Sequence, residues 1–383
     1  MIPQVSTVPT VATGPALKRP GLVEDPDTPG HVYVLSAAEK AEVAAAMAHF
    51  EALGLDGDQI SPATFPLPTL GPVLRALTAD LHHGRGFFIL RGLTIAGLLT
   101  EDTILRYLGI ASFVADKIGV QDEHGNVFAH IREAKYALAR QEDRPIRDST
   151  LASHFHTDEA ADILAMHTSG LAAEGGDHFV APAAAVYDVL CRTCPEVIPT
   201  LTAPIWYFDT RGLLASLIPR PLLYFYHHRS NHPNTITTTT TPQPIFSFNQ
   251  QALHRLPNIP PLSPLAPPLT PPQLAALTAL ERAARQVHTP LRTHLGDISF
   301  VNNLTTLHAR EAFVDDPPRG KVRYLVRMWL KDTGEGMQGL PEPLEQLNQR
   351  LFAQEGEVEG VRRVWNVVGK MRVGFSFAER LGP

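Results

Sequence analysis

The sequence predicts an α+β protein with a jelly-roll or barrel core inside a jacket of helices. Three observations predict it. Strand-like segments dominate residues 125 to 335, turn-rich stretches separate them, and helical patterns lie toward both ends. With 44% hydrophobic and 19% charged residues over 383 positions, the chain has ample material for one large core, and it is read as one elaborated domain over 31–383.

In chain order, residues 1–30 are rich in Pro, Thr and Val and read as a flexible N-terminal arm. A helical region follows over about 31–84. Ser36 opens SAAEKAEVAAAMAHFEALG, with Ser36 and Glu39 as a capping box and Gly54 placed to end the helix. A second helix, PVLRALTADLHHG, runs into the apolar strand GFFILRGL, whose lone Gly-x-Gly is turn chemistry without dinucleotide context. The jelly-roll core spans about 85–335. Residues 101–114 read helical, and then come FAHI, DILAMHT, HFVAPA, PLLYFYHH, PIFSFN, DISFVNN and KVRYLVRMWL as strands. Among them one clear helix runs from Thr270 to about Val287, with Thr270 as N-cap and Pro271 and Pro272 in its first turn. The Pro-rich LPNIPPLSPLAPPLTPP before it is a connector, and TITTTTT at 235–241 is a strand or loop. A C-terminal helical extension covers about 336–383. No internal repeat is present.

A formal charge of −6 and a pI near 6.3 give no electrostatic reason to expect nucleic acid or an anionic membrane as partner. The N-terminal segment lacks a basic stretch followed by an apolar one, and no apolar run approaches the roughly 18 residues of a spanning helix. The two cysteines, Cys191 and Cys194, form one CRTC that closes the helical stretch AAAVYDVLCRTC. Without a second such pair they read as packing residues on a helix face. The expectation is a cytoplasmic protein.

Function enters with His156-Thr157-Asp158. On an extended strand, residues i and i+2 point to the same face, so an imidazole and a carboxylate can converge on one ion. With a distant histidine they make the facial triad suited to Fe(II), which leaves positions open for other ligands. The motif alone is weak, because a chain with 17 histidines yields about one His-x-Asp by chance. Its company is GDISFVNNLTTLHAREAFVDDPPRGKVRYLVRMWL. There a strand leads into His308, and a later strand carries Arg323, Leu325, Arg327 and Trp329 on one face. Two arginines among apolar neighbours are costly to bury without anions to pair with. A dicarboxylate supplies one, gripped bidentately by a guanidinium. The bland reading is two exposed arginines on an edge strand.

These pieces together resemble the taurine dioxygenase (TauD/TfdA-like) family, in particular its fungal-type members. FHTDEAADIL, the GGD at 175–177, GDISFVNNLTTLHAREAFVDD and the R-x-x-x-R strand carry the likeness. Weaker similarity in HHGRGFFILRGL and GVQDEHGN extends it over roughly 65–332. The resemblance implies a double-stranded β-helix, cupin-like core, with Fe(II) as metal, 2-oxoglutarate as cosubstrate and dioxygen as oxidant. It puts the metal on His156, Asp158 and His308. It puts the far carboxylate of 2-oxoglutarate on Arg323 and an anionic group of the substrate on Arg327, roles that spacing leaves interchangeable. The family commonly has a small hydroxyl residue after GGD, where this chain has His178; imidazole can still donate a hydrogen bond. The implied reaction oxidises an unactivated C–H bond of a small molecule by hydroxylation, desaturation or cyclisation, with an amino acid or natural-product intermediate of secondary metabolism as substrate.

Three other readings keep some of these residues: an Fe(II) oxidase without 2-oxoglutarate, a non-catalytic jelly-roll binding protein, and a Zn hydrolase. The remaining histidines offer less. His227, His228 and His232 sit in an aromatic strand and its loop and read as surface or pocket-lining. His154 shares a strand face with His156 and reads as a neighbour of the site. His130, His167 and His294 have no partner visible in the sequence.

Overall fold

A computed structural model describes residues 22–25, 28–95, 97, 98, 100–122, 124–134, 140–158, 160–208, 219–226, 242–253, 267–353 and 363–367. Two sheets carry the site. The larger joins β1 (Leu22–Asp25), β2 (Thr28–Val34), β3 (Phe87–Arg91), β13 (Ile298–Asn302), β7 (Ile163–Gly170), β16 (Tyr324–Lys331) and β4 (Lys117–Ile118) in that order, with β5 (Ala129–Ile131) also on β16. The smaller runs β12 (Thr289–Leu291), β9 (His178–Pro182), β14 (Thr306–Arg310) and β6 (Ser153–His156). Two short ribbons accompany them: β8 (Glu174–Gly175) pairs with β15 (Phe313–Val314), and β10 (Leu223–Tyr226) with β11 (Gln243–Phe246).

Alternation along each strand sorts the side chains into layers. Phe87 and Ile89, Leu164 and Met166, Val301, Leu325 and Trp329 face inward and share a cluster with Val180 and Leu291 of the smaller sheet. Their neighbours Phe88, Leu90, Ile163, Ala165, Phe300, Val326 and Met328 face outward. There they meet α1 (Ala37–Leu53), α2 (Leu70–His83) and α3 (Thr100–Ala111), through Phe50, Leu74 and Leu108. On the far side of the smaller sheet, Phe155, Ala181, Leu307 and Ala309 pack beneath α4 (Ala183–Thr193), α5 (Ile198–Thr202) and α7 (Pro271–Val287), beside the short α6 (Gln250–Leu253). The last helix, α8 (Leu344–Phe352), packs Leu347 and Leu351 at the edge of the inner layer. This is a β-sandwich with helices outside both faces, the double-stranded β-helix architecture expected.

Local chemistry explains the boundaries. Ser36 Oγ accepts from Glu39 N–H while the Glu39 carboxylate accepts from Ser36 N–H, and Gly54 ends α1 at φ 64°. Thr270 and Gln273 form the same reciprocal cap at α7, with Pro271 and Pro272 entering its first turn. Cys191 and Cys194 are free, half-buried thiols packed against the α4–α7 cluster.

The chain's first turn differs from expectation. The arm read over 1–30 gives way to a strand at Leu22, and β1 pairs with β2, which joins β3 in parallel. Pro, Thr and Val composition hides such a strand, because edge pairing needs backbone groups and little apolar periodicity. TITTTTT, His227, His228, His232 and most of the Pro-rich connector lie outside the described residues.

Candidate metal centre

The site lies between the two sheets. β6 brings His156 to its end, and Asp158 follows on the turn beyond it. β14 pairs with β6 so that His308 stands directly opposite His156. The two imidazole centroids are 4.2 Å apart, and Asp158 Oδ1 lies 3.9 Å from His156 Nε2 and 3.8 Å from His308 Nε2. One ligand atom from each falls within 4.8 Å of the others, and among the described residues this is the only such cluster of His, Cys, Asp and Glu. Two neutral imidazoles and one carboxylate on one face suit a divalent first-row metal and leave the opposite face free.

Two of the three ligands, His156 and Asp158, are oriented from behind, whereas His308 Nδ1 is buried without a partner. His156 Nδ1–H donates to His154 O at 2.8 Å, which leaves the Nε2 lone pair toward Asp158. The backbone of Asp158 is held by Asn303, whose Oδ1 accepts from Asp158 N–H at 2.8 Å and whose Nδ2 donates to Asp158 O at 2.7 Å. Its carboxylate is held by β16. Trp329 Nε1–H and Arg327 Nη1 both reach Oδ2 at 2.8 Å, so Oδ1 alone faces the histidines. Gln121 Oε1 accepts from Arg327 Nε at 3.0 Å and fixes the guanidinium.

Electrostatics follow from burial and these contacts. Burial pushes the Asp158 carboxyl up, but Arg327, the two histidines and the Trp329 bond outweigh it and hold it at about 2. Burial lowers His156, and it lowers His308 to about 3, so both imidazoles are neutral at physiological pH. Neutral imidazoles beside an ionised carboxylate are what a metal requires.

Around the triad is a cavity whose apolar wall is Ile131, Ile146, Leu164 and Met166, and whose polar wall includes Arg147, His178, Arg310 and Arg327. Arg323 is buried at 4% exposure, which rules out the exposed edge-strand reading. Its Nη2 lies 2.6 Å from His178 Nε2, its Nε donates to Gly176 O at 3.2 Å, and Nη1 is buried with no partner. Gly176 must be glycine: φ is +84°, and a Cβ there would sit 2.9 Å from Arg323 Cδ and Nε. Burial, with Arg323 and Arg310 beside it, drives His178 well below the usual imidazole range, so it stays neutral.

The profile of the taurine catabolism dioxygenase TauD, TfdA family matches residues 19–329. This chain belongs to that family. It is 31% identical over 342 residues to the taurine hydroxylase-like protein SAT17 of Stachybotrys chartarum, covering 88% of this chain and 83% of that one. It is 26% identical over 312 residues to the FR-33289 synthase of Streptomyces rubellomurinus, covering 78% and 84%. The structure of an asparagine oxygenase in complex with Fe(II), 3-hydroxyasparagine and succinate superposes with TM-score 0.59 at 16% identity, over 80% of this chain and 98% of that one. That of the non-haem iron oxygenase OrfP does so at 0.55 and 16%, over 78% and 93%. Membership makes the protein an Fe(II)- and 2-oxoglutarate-dependent oxygenase that acts on a small molecule, and the His–Asp–His cluster fits the metal of that class.

Of the residues singled out in the sequence, the structure brings His156, Asp158, His308, His178, Arg323 and Arg327 to one site. It does not bring His154, which is exposed and pairs with Glu281 at 3.6 Å. His130 is bound to Tyr324 and His167 to Ser169, away from the triad. Arg310, Trp329 and Asn303 were missed. The i, i+2 spacing of His156 and Asp158 recurs within strands in His308 and Arg310 and in Arg327 and Trp329, so two of the three had a signal. Among the described residues no helix is long and apolar enough to cross a membrane.

Proposed function

We propose that His156, Asp158 and His308 hold one Fe(II) and that 2-oxoglutarate binds beside it, on the side of His178 and Arg323. The observation carrying this is the capped carboxylate. With Oδ2 taken by Trp329 and Arg327, Asp158 presents a single oxygen to a pair of neutral imidazoles. When bound, iron, 2-oxoglutarate and dioxygen supply the oxidising power for an unactivated C–H bond, with succinate and carbon dioxide as by-products.

The chain's own residues provide the setting. Ile131, Ile146, Leu164 and Met166 keep the cavity beside the metal apolar and limit water. Arg327 holds Asp158 and turns one edge to the same cavity, so any grip on an anionic group of the substrate is shared with that ligand. The names of SAT17, FR-33289 synthase, asparagine oxygenase and OrfP support a small amino acid or natural-product intermediate as substrate, with hydroxylation as the outcome. The reading further places the protein in the cytoplasm, without nucleic-acid or membrane partners, and treats residues 31–383 as one domain.

Oxygen consumption by the Fe(II)-loaded protein tests the class directly. Uptake that requires 2-oxoglutarate and yields succinate supports it. Uptake that proceeds equally without the 2-oxo acid marks an oxidase, the reading that His178 in place of a hydroxyl residue favours.

A further inference from the structure

β6 is the outer strand of the smaller sheet, with β14 on one side and, among the described residues, no strand on the other. Its ladder with β14 is also irregular. His308 faces His156 and Arg310 faces Ser153, so Ala309 alone stands against two residues, His154 and Phe155. This is a bulge, a device that re-aims side chains beside a site. At the bulge, His154 O accepts from His156 Nδ1–H at 2.8 Å. His308 Nδ1 is buried without a partner, so within the triad only the His156 ring has its tautomer fixed in this way.

The other end of the same amide is held from outside the sandwich. Phe155 N–H donates to Glu281 Oε2 of α7 at 2.8 Å, in place of a neighbouring strand. Glu281 Oε1 lies 2.7 Å from Arg285 Nη2 and 3.6 Å from His154 Nδ1. Burial pushes the Glu281 carboxyl up, but His154, the Phe155 N–H and Arg285 outweigh it and hold it below the usual range. The amide between His154 and Phe155 thus links an ionised carboxylate, at its N–H, to the His156 ring, at its carbonyl. Donation to a carboxylate makes the carbonyl of the same amide a stronger acceptor. A stronger acceptor at Nδ1–H fixes the ring's direction and makes Nε2 a better ligand.

We propose, on the reading of His156, Asp158 and His308 as the metal site, that Glu281 positions His156 for the metal through the amide between His154 and Phe155. The line runs from a carboxylate on α7, outside the sandwich, through one peptide to the imidazole. Glu281 touches neither the triad nor the cavity beside it, and it is a positioning residue.

The test is competition titration of the full-length protein with Co(II), joined to proton NMR of the Co(II)-loaded protein in water. There the Nδ1–H of a histidine bound through Nε2 gives a shifted, solvent-exchangeable resonance. Glu281→Leu keeps the bulk of the side chain without an acceptor. It is expected to bind Co(II) about 10-fold more weakly, the lower end for a lost outer partner. One of the two ring N–H resonances should exchange faster with water, the other staying as in the wild type. Glu281→Gln keeps an uncharged acceptor and is expected to fall between, which decides the matter if the leucine variant does not fold. Thr270→Ala loosens the start of the same helix without touching Glu281, and wild-type values are expected from it. Wild-type Co(II) affinity in the Glu281 variants overturns the proposal, as does an equal loss in Thr270→Ala, which marks a merely structural role. If the wild-type protein binds no Co(II), the metal reading itself fails and the proposal with it.

Discussion

Arg327 Nη1 lies 2.8 Å from Asp158 Oδ2, joining a buried guanidinium of the larger sheet to the carboxylate that completes the triad. The pair crosses the sandwich, so the geometry of the metal centre depends on how the two sheets are packed. Trp329, two residues on along the same strand face, donates to the same oxygen. Asp158 is thereby oriented by β16 through its side chain and by Asn303 through its backbone.

Removing one of these donors tests the clamp. Trp329→Phe keeps an aromatic side chain but removes the five-membered ring that carries the indole N–H, and a lost partner of this kind costs about 10- to 100-fold in metal affinity. Arg327→Met is expected to cost at least as much, since it also leaves the carboxylate without its charge partner. Competition titration with Co(II) measures both. Unchanged affinity in both variants would show that Oδ2 needs no anchoring.

Loss of a ligand should act on the metal and spare the fold. In His308→Ala the buried neutral ring is replaced by a small apolar side chain, and the sheet pairing through its backbone remains. The variant is expected to keep its circular dichroism spectrum and to bind iron at least about 100-fold more weakly. Stoichiometric iron retained after dialysis would mean that another residue is the ligand.

Gly176 allows Arg323 to pass beneath it. Gly176→Ala places a Cβ at φ +84° and 2.9 Å from the Arg323 side chain. The expected cost is about 1–3 kcal/mol of stability from the backbone conformation. A displaced guanidinium should also weaken 2-oxoglutarate binding. Thermal melting and titration follow the two effects separately, and wild-type values in both would contradict the packing described.

A buried acid away from the triad gives the protein a pH signature. Asp162 is 1% exposed, with Oδ2 unpartnered and Oδ1 accepting from Asn348 Nδ2 at 2.5 Å. Burial raises it from 3.8 to about 7, against the opposing pull of Lys331 and Asn348. A raised carboxyl favours the folded state while protonated. Its contribution is therefore complete below about pH 3.8 and is lost as the pH rises through about 7. At about 1.4 kcal/mol per pH unit the loss is of order 4 kcal/mol. Asp162→Asn should gain stability in urea unfolding at pH 8 and much less at pH 5. Parallel curves for the two proteins would show that Asp162 does not titrate there.

The sequence made the sandwich legible through short apolar strand-like runs set apart by turn-rich stretches, such as Phe87-Phe88-Ile89-Leu90, whose side chains the structure divides between two clusters. It made the triad legible because His-x-Asp and the segment around His308 together resemble the family's motifs, although β6 ends at His156 and Asp158 lies beyond it. It was silent on what depends on pairing across space. Spacing puts Arg323 and Arg327 on one face, but only the register of β16 against β7 and β5 turns Arg327 toward Asp158. The strand at Leu22 was equally hidden, because its partners are backbone groups of β2. Asn303 had no signal at all, since a buried asparagine that holds a turn looks in sequence like any loop residue.

The most direct test of the account is anaerobic titration of the Fe(II)-loaded protein with 2-oxoglutarate, followed by visible absorption. A saturable metal-to-ligand charge-transfer band that disappears in His156→Ala is expected. Iron bound in stoichiometric amount with no such band at any concentration of the 2-oxo acid would contradict it.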